Sequence, residues 1–427
     1  MKPLGAGLGR FGSFGRLGTG FGLIWTAVTV SGLGDGMRFI ALPLLAAQVT
    51  DDPRQVAAVT LAEQLPWLLV GLIAGALADR LDRRRVLWTV DFARALVAGA
   101  LAASIASGRP SVPLLAAAGF LLCCGQTLYT GAWSAVVPAI VAEPEARIRA
   151  NAALQSGALV TATLLAPPLG ALLFAIAPAL PIGVDAVSFA VAAALVFVLR
   201  GDFSARIPDA PREPGKPGEP GAVRGLRRDV AEGVGWLRRQ PVLRRLCLVA
   251  GATNFVTTGM IAVLVLYARD VLGLDGLGYG LLIAAFSVGG VSGAAAAPRL
   301  VRRFGTRRVL LSAVIGSAVT AAAAGAAPAA LVAGCCVAGY GAMSLIWEIT
   351  AVTLRQQLVP AELLGRVSMS YQLVSNGAGA LGAATGGVLA QLAGLRTPFL
   401  AGAAVLALAA LATARATDAS PPSSAER

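Results

Sequence analysis

Long apolar segments separated by short polar connections run through most of the chain. Glycine, proline and charged residues divide them into stretches that can cross, as helices, a hydrocarbon core roughly 30 Å thick. The predicted spans are Phe21–Ala47, Val56–Ala78, Val86–Ser107, Val112–Val137, Ala150–Ala175, Leu180–Leu199, Val242–Ala268, Tyr279–Pro298, Val309–Ala326, Ala329–Thr353, Val367–Leu392 and Pro398–Ala414. The pattern therefore predicts an all-α polytopic membrane protein with twelve transmembrane helices and little folded structure outside the membrane.

Positive charge is distributed unequally between the two sides of the predicted membrane. Of the 35 lysine and arginine residues, 29 fall on the side that holds both termini and 4 on the other. Because cytoplasmic loops retain positive charge, both termini are predicted to be cytoplasmic, in a protein of the cell membrane. The net charge of +13 then reflects this topology and contact with anionic membrane lipids, and no nucleic-acid partner is predicted.

The composition excludes several classes of function. Hydrophobic residues make up 56% of the chain and charged residues 13%, with a mean hydropathy of +0.74, whereas soluble domains carry about 25% charge. The 427 residues include no histidine and no phosphate-binding G-x-x-x-x-G-K-[ST] motif. Imidazole catalysis, histidine-ligated metals and an ATP-driven pump are therefore not expected. No cofactor, metal or enzymatic activity is predicted.

Composition also divides the chain along its length. Residues 1–20 are glycine-rich, residues 415–427 are polar, and both are predicted to be cytoplasmic extensions. Residues 200–241 are predicted to be a cytoplasmic linker, because prolines recur there among glycine and charged residues. The linker separates a predicted N-terminal bundle of six helices at residues 21–199 from a C-terminal bundle of six at residues 242–414.

The two halves of the chain resemble each other in sequence. Residues Gly75–Leu87, after the second span, align with Pro298–Leu310, after the eighth, at an offset of 223. The tripeptide Val137–Ala139 after the fourth span matches Val359–Ala361 after the tenth at an offset of 222. Matches in the same order and at like places in the topology indicate two bundles related by duplication.

The loop after the second span carries a known motif. Residues Gly75–Arg85 match the pattern G-x-L-a-D-R-x-G-R-[KR]-x, except that Asp82 stands where glycine is usual. With this motif and the repeat, the chain resembles the major facilitator superfamily of secondary transporters over nearly all of its length outside the tails and linker. The resemblance implies the major facilitator fold, two pseudo-symmetric six-helix bundles that open alternately to either side of the membrane.

Charged residues inside the spans resemble one branch of that superfamily. Asp35 with Arg38, Asp91 with Arg94, and Asp185 stand in patterns similar to those of enterobactin-exporter-like and macrolide-efflux-like permeases, also called transmembrane secretion effectors. The resemblance also implies a cytoplasmic gate. Its residues would be Gly75, Asp79, Arg80, Arg83, Arg84, Asp91, Arg94, Arg302, Arg303, Gly305, Arg307, Arg308 and Arg366.

The resemblance places Asp79 of this gate at the N-terminus of the eleventh span, near Arg366, where the helix dipole attracts a carboxylate by roughly 0.3–1 kcal/mol. It also implies that arginines such as Arg84 pair with Asp91 and with anionic lipid. The alternative is that many of these arginines only set the orientation of the loops in the membrane.

Four residues are candidates for proton coupling. Asp35 lies near the middle of its span among glycines, and Arg38 is three residues on, on the same helical face. Asp91 and Arg94 are also three residues apart, so each pair can neutralise itself on one face of its helix. Neither Glu63 nor Glu348 has a basic residue within one helical turn along the sequence, so each could carry a proton through the membrane. A role for Glu348 only as the partner of Arg355 stays open.

A second set of residues is predicted to line the substrate cavity. Acidic and aromatic side chains together favour cationic or amphipathic ligands, through charge and cation–π contacts. Glu348 corresponds to Gln126 in the repeat, so the two positions are expected to face one cavity. The candidates are Gln64, Trp67, Gln126, Tyr129, Trp133, Asn254, Trp347 and Gln372.

Together these observations favour a secondary active transporter, expected to act as a monomer. The leading hypothesis is proton-coupled efflux of a small amphipathic molecule, such as a drug, siderophore or secondary metabolite, by alternating access. The loss of the usual arginine in the fourth span and of most of the antiporter motif in the fifth weakens the expectation of proton coupling. An importer or a lipid-handling permease on the same scaffold, a polytopic membrane enzyme and a non-transporting receptor are the alternatives.

Overall fold

The computed structural model describes residues 19–71, 82–133, 146, 149–150, 153–154, 157, 160–199, 235–236 and 238–415. Nearly all of the predicted N-terminal segment and linker, and nearly all of the tail, lie outside the described residues. Most of the loop motif Gly75–Arg85 does so as well.

Twelve α-helices follow one another in the described ranges. The first six are α1 Thr19–Val49, α2 Pro53–Leu69, α3 Arg83–Ala106, α4 Val112–Trp133, α5 Ala166–Ile176 and α6 Leu180–Val198. The second six are α7 Pro241–Leu266, α8 Gly276–Phe304, α9 Thr306–Ala326, α10 Ala330–Leu358, α11 Ala361–Ala393 and α12 Thr397–Arg415. Short π-helical turns, Val160–Leu165 and Tyr267–Val271, precede α5 and follow α7. The all-α prediction is confirmed.

Most of these helices have the length and composition of membrane spans. Within the described ranges, nine helices are long and apolar enough to cross a membrane, namely α1, α3, α4 and α6 to α11. The segments Val160–Ile176 and Thr397–Ala412 are shorter apolar helices. Helix α2 has 17 described residues. The twelve predicted spans are consistent with this architecture.

The repeat uses different residues at equivalent helix junctions. The Asp82 carboxylate accepts hydrogen bonds from the backbone N–H groups of Arg84 and Arg85, at 3.0 and 3.3 Å, and so caps α3. The equivalent position, at the offset of 223, is Gly305, whose φ of 81° is a backbone conformation that favours glycine. Gly305 allows α8 to turn directly into α9, so its place in the predicted gate motif has a backbone reason.

The chain divides into two compact units. Unit 1 comprises Met1–Leu42, Leu69–Pro110 and Ala117–Glu219. Unit 2 comprises Pro43–Leu68, Ser111–Ala116 and Pro220–Arg427. The end of α1 and nearly all of α2 thus pack with the C-terminal helices. The linker bounds predicted from sequence stay a prediction.

Unit 1 has an apolar core where α1, α3, α4 and α6 meet. Buried members of this core include Phe21, Leu87, Tyr129 and Val196. At the edge of the core, the Arg84 side chain donates hydrogen bonds to backbone carbonyls near the end of α6, one of them that of Val196 at 3.3 Å. These bonds tie the start of α3 to the end of α6.

Backbone contacts at glycines bring the helices of unit 2 close together. A Cβ at Gly289 of α8 would overlap the carbonyl oxygen of Ala338 in α10, and one at Gly341 of α10 would overlap the carbonyl oxygen of Phe286. On α11, a Cβ at Gly382 would overlap the carbonyl oxygen of Phe255 in α7. Small residues permit such approach in membrane helices. Gly382 belongs to a glycine-rich stretch of α11, and this contact shows that the stretch packs closely against α7.

Within unit 2, the connection between α1 and α2 contacts the segment that follows α7. The guanidinium of Arg269 donates to the Ala47 carbonyl oxygen at 2.7 Å and pairs with the Asp51 carboxylate at 2.8 Å. Further along α2, Ala57 packs against Ala262 of α7 and Ala383 of α11. These contacts hold α2 against α7 and α11, and thereby place two residues of α2 beside the cavity described next.

Candidate functional site

Unit 2 encloses a cavity of about 540 Å³ with a mixed polar and aromatic wall. Helices α2, α7, α8, α10 and α11 contribute its side chains. They are Gln64, Trp67, Ala250, Thr253, Asn254, Thr257, Phe286, Ser344, Leu345, Trp347, Glu348, Val352, Arg355, Tyr371, Gln372, Ser375 and Asn376. Its volume lies within the range of small-molecule binding sites, roughly 300–1,000 Å³.

Several polar groups of the wall are held in place by hydrogen bonds. The Asn254 side-chain amide donates to the Ser375 hydroxyl at 2.5 Å, which joins α7 to α11. The Thr257 hydroxyl lies 2.7 Å from the hydroxyl of Tyr340 on α10. The wall therefore presents amide and hydroxyl groups in positions set by the packing of three helices.

The charged groups of the wall come from two turns of α10. Glu348 and Arg355 both line the cavity. The Arg355 guanidinium lies 4.3 Å from the centroid of the Tyr371 ring, a cation–π contact, and no ion pair between Arg355 and Glu348 is found in the described part of the chain. The Tyr371 hydroxyl donates to the Leu246 carbonyl oxygen at 3.3 Å, so the ring is fixed from both sides.

Six sequence candidates converge on this cavity. Gln64, Trp67, Asn254, Trp347 and Gln372, predicted as cavity residues, line it together with the coupling candidate Glu348. Glu63 is half-buried beside Gln64 on α2.

Other candidates lie elsewhere. Tyr129 is buried in the core of unit 1, and Gln126 is half-buried on α4, while the side chain of Trp133 lies outside the described part. The prediction missed Arg355, Tyr371, Ser375 and Asn376 as cavity residues. Arg355 follows Glu348 by seven residues on α10, and Ser375 and Asn376 follow Gln372 by three and four residues on α11. Residues at these spacings share a helical face, which could have indicated that they line the same cavity.

A second group of charged side chains forms a buried cluster in unit 1. The Arg38 guanidinium pairs with the Asp35 carboxylate at 2.9 Å, and Arg94 pairs with Asp91 at 3.4 Å. Arg94 also pairs with Asp35 at 2.5 Å. The Nε of Arg38 lies 3.6 Å from an oxygen of Asp185. Five residues from α1, α3 and α6 thus form one electrostatic unit, called the charge cluster below.

Aromatic and small side chains enclose the charge cluster. The Arg94 guanidinium lies 3.9 Å from the centroid of the buried Phe189 ring on α6. A Cβ at Gly34 would overlap the Asp185 carboxylate, so glycine on α1 leaves the space that Asp185 occupies. The pairs Asp35–Arg38 and Asp91–Arg94 were expected from the sequence. The ion pair between Arg94 and Asp35, which connects them, was not. Asp185 was recognised only as an acid inside a span.

The structure describes eight of the thirteen residues of the predicted gate. Gly75, Asp79 and Arg80 lie outside the described residues, as do the side chains of Arg83 and Arg366. The implied pairing of Arg84 with Asp91 is wrong, because Arg84 donates to the end of α6 and Asp91 pairs with Arg94. The exposed basic residues at the α8–α9 junction are Arg302, Arg303, Arg307 and Arg308.

The architecture and the sequence agree with one protein family. A model of the family described as transmembrane secretion effector matches residues 16–423, nearly the whole chain. The chain belongs to the transmembrane secretion effector family. It is therefore a multi-pass membrane transporter of the major facilitator type and not an enzyme, as the motif at Gly75–Arg85 predicted.

Two curated relatives of this transporter are named as efflux proteins. It is 28% identical over 396 residues to the multidrug efflux pump Tap of Mycolicibacterium fortuitum, which covers 89% of this chain and 91% of that protein. It is 25% identical over 392 residues to the enterobactin exporter EntS of Citrobacter koseri, covering 88% and 86%.

Among solved structures, a bacterial homologue of the iron transporter ferroportin matches with a TM-score of 0.71 at 19% identity, covering 94% of this chain and 99% of that one. The nucleoside transporter NupG, as a D323A mutant, matches with a TM-score of 0.73 at 11% identity, covering 92% and 98%. These likenesses confirm the fold.

Gly125→Ala should disturb the charge cluster of this transporter. A Cβ at Gly125 of α4 would lie 2.7 Å from the Cγ and Cδ atoms of Arg94, so the guanidinium must shift away from Asp35 and Phe189. Overpacking of this kind costs roughly 1–3 kcal/mol. We expect a lower thermal midpoint for the purified protein and a several-fold lower transport rate.

The matched control is Gly99→Ala on α3, where an added Cβ has no neighbour within 4 Å. Alanine is also favoured over glycine inside a helix, so this variant should be as stable as the parent. Equal thermal midpoints for Gly125→Ala and Gly99→Ala would contradict the contact between α4 and Arg94.

Proposed function

We propose that this transporter exports a small amphipathic molecule across the cell membrane and uses the proton gradient to drive that export. Export is supported by the relatives, a multidrug efflux pump and an enterobactin exporter, which match almost the whole chain. Both termini face the cytoplasm in this proposal, in keeping with the positive charge of the loops on that side, and the functional unit is a monomer.

The cavity in unit 2 is the proposed substrate site, and its wall is the observation that carries the proposal. Trp67, Trp347, Phe286 and Tyr371 offer apolar ring faces, and Glu348 offers one carboxylate. Aromatic faces bind apolar and cationic groups, while a carboxylate in a low-dielectric cavity attracts a positive charge. The second charged group of the wall, the Arg355 guanidinium, is stacked on the Tyr371 ring. An amphipathic organic cation with its charge at Glu348 and its apolar body against the rings matches these features.

Proton coupling is proposed from the intramembrane carboxyl groups. The chain has no nucleotide-binding motif, so the work of export must come from an ion gradient. Asp35, Arg38, Glu63 and Glu348 are the candidates, of which Glu348 lies in the substrate cavity and Asp35 in the charge cluster. A carboxyl in each unit would allow substrate binding and proton binding to be linked at separate places.

Uptake of tetraphenylphosphonium, a lipophilic cation, into energised inverted membrane vesicles is the test. If export is proton-driven, vesicles with the transporter should accumulate the cation several-fold over vesicles without it, and a protonophore should abolish the difference. Accumulation that survives the protonophore would contradict proton coupling. An excess over transporter-free vesicles that is seen only in right-side-out vesicles would instead indicate an importer.

Glu348→Gln should weaken this accumulation at least about tenfold, a loss of roughly 1.4 kcal/mol of binding. The amide keeps the shape of the side chain but removes its charge, so the loss should be largest for cations and small for a neutral amphiphile. The control is Asp275→Asn at the exposed N-terminus of α8, where Asp275 caps Gly278. Unchanged cation transport by Glu348→Gln would remove the cavity carboxylate from the proposal.

A further inference from the structure

The wall of the unit 2 cavity contains a buried cation. Arg355, in the last turn of α10, lines the cavity and is only 8% exposed. Its guanidinium stacks at 4.3 Å on the ring of Tyr371, whose hydroxyl donates to the Leu246 carbonyl oxygen. Because a guanidinium stays charged in proteins, the cavity has a fixed positive charge at this point.

The stacking holds Arg355 by the face of its guanidinium and leaves the N–H groups to find other partners. In the described part of the chain, the buried Nε of Arg355 has no hydrogen-bond partner. A guanidinium has five N–H donors, all in its plane, and stacking on a ring uses none of them. Buried donors without acceptors are costly, and a carboxylate on a ligand would supply the acceptors.

Few acids of the protein are placed to neutralise Arg355. Glu348 and Glu362 are the only acids of α7, α8, α10 and α11, and α2 contributes Glu63. Glu348 forms no ion pair with Arg355 in the described part of the chain, and Glu63 does not line the cavity. The side chain of Glu362 lies outside the described residues, so one of the variants below removes it.

Glu348 and Arg355 place opposite charges on one face of α10. Seven residues make nearly two helical turns, so the two positions share a face and lie about 10 Å apart along the helix axis. Aromatic rings, those of Phe286, Trp347 and Tyr371, line the same cavity. A ligand that uses the whole wall therefore needs a cation and an anion on one apolar body.

We propose that Arg355 is the anion-binding subsite of this cavity, and that the preferred substrates are amphipathic zwitterions. The cationic group lies at Glu348, the apolar body lies against the rings, and a carboxylate accepts two N–H bonds from Arg355, a geometry that suits both groups. A simple organic cation still binds, but it leaves the guanidinium without its acceptor. The inference rests on the proposed function only for the assignment of this cavity as the substrate site.

Rhodamine 110 and its methyl ester, rhodamine 123, test the subsite. The two dyes share one aromatic cation, and only rhodamine 110 has a free carboxylate. Fluorescence anisotropy would measure their binding to the full-length protein in phosphatidylcholine nanodiscs, with empty nanodiscs as the blank. Because a hydrogen bond to a charged group is stronger than one between neutral groups, the parent should bind rhodamine 110 about tenfold more tightly than rhodamine 123.

Variants assign this preference to one side chain. Arg355→Gln should weaken binding of rhodamine 110 about tenfold and leave that of rhodamine 123 unchanged, whereas Glu348→Gln should weaken both alike. Arg355→Lys keeps the charge and should retain part of the preference. The matched control is Arg299→Gln on α8, where the exposed arginine donates to the Ala295 carbonyl oxygen of its own helix, and both dyes should bind as they do to the parent.

Several results would overturn the subsite. Equal binding of the two dyes by the parent, or binding of neither, would do so even if tetraphenylphosphonium export is proton-driven. Equal weakening of both dyes by Arg355→Gln would give Arg355 a structural role only. A preference that appears only in Glu362→Gln would make that acid the partner of Arg355.

The reverse combination is equally distinct. The expected dye affinities in a protein whose transport ignores the protonophore would support the anion subsite and contradict proton-coupled export.

Discussion

Asp35→Asn should lower protonophore-sensitive accumulation of tetraphenylphosphonium by at least about tenfold, equivalent to roughly 1.4 kcal/mol, while exchange of the cation without a gradient continues. Asp35 is the most exposed acid of the charge cluster and contacts both Arg38 and Arg94. The amide cannot take up a proton. Substrate can then still move, but the gradient no longer drives it.

The comparison of gradient-driven uptake with gradient-free exchange makes this prediction specific. Thr26→Ala on α1, where the hydroxyl donates to the Gly22 carbonyl oxygen of its own helix, should behave like the parent in both assays. Glu348→Gln should instead transport the cation weakly in both assays, because this variant binds the cation less tightly. Gradient-driven uptake by Asp35→Asn at the parental level would exclude Asp35 as the site of proton exchange.

Gly289→Ala should remove most folded protein from the membrane. A single methyl at Gly289 would overlap the backbone carbonyl of Ala338, and a backbone cannot move aside as a side chain does. Helices α8 and α10 would have to separate, which costs at least about 1–3 kcal/mol of packing and disturbs Ser344, Trp347 and Glu348 on the cavity wall. The yield of monodisperse protein and its thermal midpoint in detergent measure the loss.

Gly334→Ala is the matched control for this substitution. It adds the same methyl to α10, where the nearest atom, a methyl of Leu282 on α8, would lie at 3.8 Å, an ordinary van der Waals distance. We expect a yield and thermal midpoint equal to or above those of the parent. If Gly289→Ala matched Gly334→Ala in both measurements, the close backbone contact between α8 and α10 would be wrong.

The lining of the proposed substrate cavity was predictable in part, because the predicted spans show which polar residues lie inside the membrane. Gln64, Trp67, Asn254, Trp347 and Gln372 stood out as polar or aromatic residues within apolar helices. Gln126 was predicted through the internal repeat alone, and it is not a cavity residue of unit 2. A repeat relates positions along two bundles, but it does not say which helix face turns toward a cavity.

The sequence by itself determined the membrane architecture, the order of the helices and the family. Those features depend on hydrophobic length, charge in the loops and a local motif, which act over about 20 residues or fewer. It also predicted the two acid–base pairs of α1 and α3, because residues three apart share a helical face.

Only the tertiary structure decided that these pairs form one cluster with Asp185, and that α2 packs with the C-terminal helices around the cavity. The helices of the cluster are far apart in sequence, and their contacts depend on which faces pack. Glycines such as Gly34 and Gly125 set those faces, because a missing side chain acts only where another helix occupies the space it leaves. The set of charged side chains that meet in the cluster follows from that packing.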